Sequence, residues 1–258
     1  MLTTPDGVQL DAALHKPTGT VLGNVLQVHG ITVDLDEGGI FRRLGDQLAN
    51  SGFLALRFSF RGHGRSGGLQ EGITIGGEIV DTLTAFRQLN SLNAGPTGLV
   101  AASFGAVSTS LILKRLLPRP FGLVYWNPVL DLTDTFLEPS LPWGLKNFGS
   151  RIAPALAGRG YVTVDGAFRL GPAIFEEMAQ HDVRRAFCAD RTPALVIHGD
   201  RDAAVSYSVA RDASRERSST EFATIQGSGH GFDGREREDA AISRTVAWLM
   251  AQVPNPAG

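Results

Sequence analysis

Ser103, Asp202 and His230 are the residues of this chain whose types, acting together, could form and break an acyl bond. A serine hydroxyl becomes a useful nucleophile only when a neighbouring base takes its proton, and an imidazole serves as that base when an anion holds its tautomer. Ser103 stands in Leu99-Val100-Ala101-Ala102-Ser103-Phe104-Gly105-Ala106. Before it, Pro96-Thr97-Gly98-Leu99-Val100 reads as a turn leading into a buried strand. After it, Val107, Leu111, Ile112 and Leu116 recur at helical spacing as far as Leu117. A serine at such a strand-to-helix corner has the form of a nucleophile elbow. Small residues at Ala101 and Gly105 let strand and helix pass closely, and the helix N-terminus offers unpaired N–H groups to any negative charge that develops there. An inert turn of small residues would look the same locally, so the weight falls on what accompanies it.

Of the six histidines, His230 is the candidate base. It lies in Gln226-Gly227-Ser228-Gly229-His230-Gly231-Phe232, a loop between the last strand and the last helix whose glycines give the ring room to turn. A loop histidine without a task is the bland alternative. His29 and His198 each end a buried strand before glycine, which suits a structural role. His63 fits packing or a hydrogen bond within its own glycine loop, and His15 and His181 carry no signal. The acid is read from Ile197-His198-Gly199-Asp200-Arg201-Asp202-Ala203-Ala204-Val205, which puts two carboxylates at one strand end. Asp202 is the choice, with Asp200 as a turn-forming or arginine-pairing neighbour and Asp131, just past the preceding strand, as second choice. The chain order is then serine, aspartate, histidine, the order of hydrolases built on a nucleophile elbow.

These three positions need a scaffold that brings strand ends together. Strands are expected at Gly7–His15, Asn24–Val28, Phe53–Phe58, up to the elbow, at Phe121–Trp126, Ala194–Ile197 and Glu221–Ile225. Between them fall helices at Phe41–Asn50, closed by Ser51-Gly52, at Thr74–Leu92 with Ile75, Ile79, Leu83 and Phe86 on one face, after the elbow, at Ser206–Arg217 and at Arg235–Ala251. Strands alternating with helices predict an α/β class with a mostly parallel, doubly wound sheet, because parallel neighbours need crossover helices. Between Asn127 and Asp190 the alternation stops. That stretch holds Leu-Pro-Trp-Gly at 141–144, a possible hairpin in 158–166 and a helix from Pro172 to Gln180, and it reads as an insertion over the strands' C-terminal edge, where such sheets bind ligands. The expected division is a core of 1–126 and 191–258 with a lid or insertion at 127–190. Pro254–Gly258 reads as a loose tail.

Composition limits the partners. A chain of 258 residues that is 43% hydrophobic suits one large domain. A net charge of −2 with scattered arginines leaves no footprint for nucleic acid or an anionic membrane. The single cysteine, Cys188, excludes an intramolecular disulfide and a cysteine-based zinc site. The start Met1-Leu2-Thr3-Thr4-Pro5-Asp6-Gly7 lacks the pattern of a signal peptide, and no apolar run reaches transmembrane length. The expectation is a cytoplasmic protein acting on a small-molecule acyl substrate, with its oligomeric state open and a homodimer among the options.

The segments His29-Gly30, Arg61-Gly62-His63-Gly64-Arg65-Ser66, Ala101-Ala102-Ser103-Phe104-Gly105, His198-Gly199-Asp200-Arg201-Asp202-Ala203-Ala204-Val205 and Gly229-His230-Gly231 together resemble the α/β-hydrolase superfamily, and the resemblance covers nearly the whole chain. Within it the chain is most similar to small serine esterases of the cinnamoyl/feruloyl-esterase-like group and to serine-aminopeptidase-like hydrolases. The resemblance implies an α/β-hydrolase fold with a small lid after the sixth strand. It also implies Ser103 as nucleophile, His230 as base and Asp202 as acid, the backbone N–H groups of Ile31 and Phe104 as oxyanion hole, and no metal or organic cofactor. Two positions depart from the family pattern: Ala101 stands where glycine is common, and Ser59 where relatives often carry aspartate.

Several function classes share this chemistry. Hydrolysis of a carboxylic ester, thioester or lactone comes first. An acyltransferase would pass the same acyl group to an alcohol or amine. An aminopeptidase would need an acidic group for a substrate ammonium, for which Asp131, Asp134, Glu138, Glu176 and Glu177 are available, and a non-catalytic binding protein is the outside reading. The insertion is rich in aromatic residues, namely Phe136, Trp143, Phe148, Tyr161, Phe168 and Phe175, with Trp126 just before it. Most of these suit the insertion's own core, while Trp126, Trp143 and Phe148 are candidates to line an apolar acyl or aryl pocket.

Overall fold

A computed structural model describes residues 1–254, so the last four residues of the expected tail lie outside the described region. Along the chain run β1 (Leu2–Thr3), β2 (Gln9–Leu10), β3 (Ala12–His15), β4 (Gly23–Val28), α1 (Ile40–Asn50), β5 (Phe53–Phe58), α2 (Ile75–Leu92), β6 (Thr97–Ala102), α3 (Gly105–Ile112) and β7 (Leu123–Trp126). There follow α4 (Pro142–Asn147), α5 (Ile152–Arg159), β8 (Val162–Val164), β9 (Phe168–Leu170), α6 (Pro172–Met178), α7 (Val183–Cys188), β10 (Ala194–Gly199), α8 (Tyr207–Glu216), β11 (Thr220–Ile225) and α9 (Arg235–Gln252).

The central sheet has seven strands in the order β11-β10-β7-β6-β4-β5-β3. Every neighbouring pair is parallel except β3 with β5, which closes one edge antiparallel. Strands β4, β5, β6, β7 and β10 are buried along their whole length, as near-continuous apolar runs covered on both faces must be. Alternate side chains feed two cores. Leu26, Leu99 and Tyr125 join residues of α2, α3 and α8 on one face, while Val25, Val100 and Val124 join Phe41, Leu44, Trp248 and Leu249 of α1 and α9 on the other. This is the doubly wound arrangement expected from the alternation. Its register aligns Val28 with Ala101 and Ala101 with Tyr125, so the residues after these strands emerge together along one edge.

Local chemistry explains most helix boundaries. Thr74 caps α2 by accepting the N–H of Gly77, and Ser206 caps α8 by accepting that of Val209. The helix after the elbow is shorter than its apolar spacing suggests. It ends at Ile112, tightens to a 3₁₀ turn over Leu113–Arg115, and meets Pro118 and Pro120, which cannot continue it. Among the described residues no helix is long and apolar enough to cross a membrane.

Three expectations are corrected. The stretch 7–15 is not one strand: it divides at Asp11, and β2 pairs antiparallel with β1 in a separate ribbon while β3 joins the sheet. The stretch 127–190 follows the fifth strand of the central sheet in chain order (β3, β4, β5, β6, β7), not the sixth. The hairpin lies further along than 158–166, with β8 and β9 pairing across Asp165-Gly166-Ala167 and left-handed backbone at Asp165 and Gly166.

The insertion has no core of its own. Leu132, Phe136, Phe148, Val164, Phe168 and Phe175 merge with Phe104 and Ile73 in the cluster beneath them. Phe148, 1% exposed, sits edge-on to Phe136, Trp143 and Phe175 at centroid distances of 5.0, 5.2 and 6.2 Å. Phe148→Ala is expected to cost about 3–5 kcal/mol, as other buried phenylalanine truncations do. The check is a lowered thermal midpoint; an unchanged one would contradict this packing.

Candidate active site

Between β6 and α3 the chain reverses through Ser103, a non-glycine residue in the left-handed region at φ 49°. Such a backbone persists only where its surroundings hold it. The Ser103 N–H donates to the Trp126 carbonyl at 2.8 Å, and its own carbonyl accepts the N–H of Val129 at 3.0 Å. Two residues on, Gly105 has no room for a side chain: a Cβ there would stand 2.5 Å from the carbonyl oxygen of His29 and 2.6 Å from that of Val28. Helix α3 therefore starts hard against the end of β4. Ala101, where the family favours glycine, faces into the core at no exposure and is accommodated.

His230 reaches the elbow from the loop after β11. Its Nε2 accepts the Ser103 hydroxyl at 2.8 Å, and its Nδ1–H donates to Asp202 Oδ2 at 2.7 Å. The Asp202 side chain is fully shielded while that of His230 is 33% exposed. Asp202 Oδ1 accepts the N–H groups of Ala204 and Val205 at 2.8 and 2.9 Å. Burial opposes the Asp202 charge, but the imidazoles of His230 and His198 more than offset it and hold the carboxyl well below the usual carboxylate range. For His230 enclosure favours the neutral ring, yet the Asp202 carboxylate, aided by Glu37 and Asp233, keeps its pKa above the ordinary histidine value.

The structure thus brings Ser103, His230 and Asp202 into one chain of hydrogen bonds. Asp131 stands outside it, accepting the N–H of Asp134 at 2.9 Å at the start of the turn over Thr133–Leu137. Asp200 braces the histidine loop by accepting the Gly227 N–H at 2.6 Å. Ile31 and Phe104 flank Ser103, and among the described residues neither N–H donates to a protein acceptor. His29 is structural: Nδ1 meets the Gly30 carbonyl at 2.7 Å, Nε2 accepts the Phe60 N–H, and burial keeps the ring neutral. His63 bonds the Arg61 carbonyl at 2.9 Å within its own loop. Ser59 accepts the Leu35 N–H at 2.9 Å, so its departure from aspartate is taken up in loop packing.

Three contributions were not legible in the sequence. His198 points Nε2–H at the same Asp202 oxygen that His230 uses, at 3.1 Å. Asn127, with left-handed backbone at φ 43°, accepts the Gly199 N–H at 2.9 Å through its side-chain oxygen and donates its amide to the His230 carbonyl. Glu37 borders the serine. The asparagine directly after a strand, in Trp126-Asn127-Pro128, was the one available signal, since asparagine tolerates that backbone.

Two cavities meet at Ser103 and His230, of about 210 and 290 Å³. The smaller is walled by Ile31, Val33, Val129, Phe136, Trp143 and Val205. Trp143 is fixed there by its Nε1–H on Asp165 at 2.8 Å and its backbone N–H on the Ala203 carbonyl. Phe148, expected beside it, borders neither cavity because it is packed behind Phe136 and Trp143. Trp126 touches the larger cavity but is 2% exposed, its ring packed between Phe41 and Phe232 and its N–H on Thr245. Asp131, Asp134, Glu138, Glu176 and Glu177 border neither cavity.

The Hydrolase_4 family, described as serine aminopeptidase, S33, matches residues 19–169, more than half of the chain. The chain belongs to this family. Similar solved structures span almost its full length. Est1E from Butyrivibrio proteoclasticus, with ferulic acid bound, superposes at a TM-score of 0.83 with 20% identity, over 98% of this chain and 99% of that one. A thermophilic esterase from Thermogutta terrifontis gives 0.72 at 18% identity over 98% of both chains. A monoacylglycerol lipase from Paleococcus ferrophilus gives 0.69 at 17%, over 95% of this chain and 99% of that one. No curated protein sequence matches. At these identities the likeness establishes the α/β-hydrolase fold.

In this family member the elbow leaves nothing flexible to yield at Gly105. Gly105→Ala drives a methyl into two backbone carbonyls, and overpacking of this kind costs about 1–3 kcal/mol or more. The expected result is a large drop in soluble yield or thermal midpoint. Wild-type stability in that variant would contradict the close approach.

Proposed function

We propose that the protein is a serine hydrolase that cleaves carboxylic esters of small molecules through an acyl-enzyme on Ser103. The observation that carries this reading is the unbroken relay from Ser103 Oγ through His230 to Asp202. Ser103 Oγ attacks the ester carbonyl carbon as its proton passes to His230 Nε2, while Asp202 holds the opposite N–H and stabilises the imidazolium. The carbonyl oxygen takes up negative charge, and the unpaired N–H groups of Ile31 and Phe104 are the donors suited to receive it. As the adduct collapses, the imidazolium gives its proton to the departing alcohol oxygen. Water then attacks the acyl-enzyme with His230 again as base, releasing the acid and the free serine.

The two cavities offer separate places for the acyl and alcohol parts. The apolar wall with Trp143 and Phe136 suits an aryl or alkyl acyl group, and ferulic acid bound to the structurally similar Est1E is a ligand of that kind. Thioesters and lactones would follow the same steps. The family description favours an aminopeptidase as second reading. Against it, the five carboxylates available by sequence for a substrate ammonium border neither cavity, and the carboxylates that do border one are already engaged: Glu37 by the Gly30 N–H, Asp165 by Trp143 and Lys146, and Glu238 by Arg43.

A panel of aryl, alkyl and thioester substrates, with amino-acid amides as comparison, tests the class. Ester turnover with negligible amide turnover is expected. A fluorophosphonate probe should label Ser103 alone, and Ser103→Ala should lose the labelling and about 10⁴-fold or more of the rate while keeping its fold. Labelling elsewhere, or an active variant, overturns the assignment.

The pH profile supplies a further check. His230 must be neutral to act as base, and its pKa is raised above 6.5 by Asp202, Glu37 and Asp233 against its enclosure in the cleft. A raised pKa keeps the protonated, inactive form in place to higher pH. The acid limb of kcat/KM is therefore expected to have its midpoint above 6.5, and Asp202→Asn should move it down. A wild-type limb centred well below that value contradicts the electrostatics described.

A further inference from the structure

The loop from Gly30 to Gly39 carries an acidic side chain that the steps above leave unused. Glu37 borders both cavities, together with Ser103 and His230. Its Oε2 accepts the Gly30 N–H at 2.6 Å, and Gly30 is the residue from which the Ile31 N–H projects. No lysine or arginine pairs with it among the described residues.

The backbone of this loop is held mainly at its ends. Residues 31–34 donate no backbone N–H to a protein acceptor among the described residues. At the far end, Leu35 N–H is taken by Ser59, Asp36 pairs with Arg57, and Glu37 N–H donates to the Asp34 carbonyl at 2.9 Å. Glu37 itself has φ 46°, and Gly38 and Gly39 follow at 65° and 97°. Three left-handed residues in succession fold the loop back so that the Glu37 side chain returns to its beginning. For a residue with a Cβ this backbone is unfavourable and is kept only where contacts over-determine it. The near end of the free stretch is tied from two sides, by the Glu37–Gly30 N–H bond and by His29 Nδ1–H on the Gly30 carbonyl at 2.7 Å. Gly30 is also the position where a Cβ would crowd Ser103 Cβ at 3.0 Å, so a small displacement there is felt at the serine.

We infer that Glu37 is a positioning residue for ester cleavage: by holding the Gly30 N–H it fixes where the Ile31 N–H meets the developing oxyanion. The inference rests on the Ser103 reading above. The environment of the carboxyl agrees with it. Burial pushes its pKa up to about 7 against the pull of the Gly30 N–H and of His230, with Asp34 adding to the rise. A carboxyl kept where its charge is poorly solvated is placed by geometry and not by hydration, a pattern concentrated at functional sites.

The test compares Glu37→Gln, Glu37→Asp and Glu37→Ala. All three leave an L-residue at the same left-handed position, so they share its backbone strain and differ in reach, charge and acceptor. Glutamine keeps an oxygen that can accept the Gly30 N–H without charge; aspartate keeps the charge but is one methylene short. Deleting an oxyanion donor outright costs about 10²–10³ in rate, and a displaced donor is expected to cost about 10–100-fold. For Glu37→Ala and Glu37→Asp, kcat on a small acetate ester should fall by that factor with KM within about twofold. Binding of a trifluoromethyl ketone, whose serine adduct carries the oxyanion, should weaken in parallel, while affinity for the product carboxylate stays level. Glu37→Gln should stay within about threefold of wild type on both readouts.

Should the alanine variant fail to fold, the glutamine and aspartate pair decides alone. An active aspartate variant beside an impaired glutamine one overturns the inference in favour of a charge role, and wild-type kcat and ketone affinity in all three overturn it outright. A wild type that hydrolyses no ester and takes up no ketone overturns the Ser103 reading and this inference with it. A wild type that does both while the three variants match it sinks the inference alone.

Discussion

The site is organised around one desolvated negative charge. The Asp202 side chain has no exposure to solvent, and four N–H groups converge on it, from His198, His230, Ala204 and Val205. A buried carboxylate without such partners would protonate or unfold its surroundings, and removing one partner of a buried pair costs about 3–5 kcal/mol. Satisfying it therefore dictates the path of the chain after β10. Residues 202–205 curl so that two N–H groups point back at Oδ1, and both rings must present N–H to Oδ2. An ionised carboxylate only accepts, so the proton of His198 lies on Nε2. Its Nδ1 is left buried without a partner. That tautomer costs one unsatisfied nitrogen and secures a second donor for the acid.

From this charge the rest of the geometry follows outward. His230 can reach Asp202 and Ser103 at once only if its loop lies close over the end of β10. Gly199 permits this, because a Cβ there would fall 2.3 Å from the Ser228 carbonyl oxygen. Asn127 and Asp200 then lock the loop from two sides, one on the His230 carbonyl and one on the Gly227 N–H. At the elbow the same device recurs, with Gly105 letting α3 abut β4. Close backbone approaches, and not long side chains, set the distance between serine and imidazole. The fixed register of the parallel sheet makes those approaches reproducible.

The insertion adds shape to this frame without a separate core. Its aromatic residues interlock from Phe104 at the elbow through Phe136 to Phe148 and Phe175, so the wall of the smaller cavity is continuous with the packing behind the serine. Trp143 and Phe136 are the members of that cluster that line the cavity, and Asp165 in the hairpin turn holds the Trp143 indole N–H. A change deep in the cluster would thus be transmitted to the cavity wall through rigid ring contacts.

Local pattern in the sequence was enough to single out the residues proposed to carry the chemistry and the elements that hold them. Apolar runs in Asn24–Val28, Phe53–Phe58 and Ala194–Ile197, alternating with amphipathic helices, specify a mostly parallel sheet covered by helices on both faces, because strands apolar on both sides must be buried on both. Small residues around Ser103 and glycines around His230 mark the sharp turns. Tertiary structure alone decided the pairings. Ser103 and His230 are 127 positions apart, and no periodicity encodes which of two aspartates an imidazole meets. The same limit hid His198, whose place at the end of a buried strand reads as core until Asp202 folds back onto it. It also left Phe148 and Trp143 indistinguishable by composition, though one faces inward to its neighbours and the other to the cavity. Nothing in the sequence singles out Glu37; its carboxyl meets Gly30 through left-handed backbone at 37–39, a property of the folded chain held by contacts of the neighbouring residues with Arg57 in β5 and with Ser59 just after it.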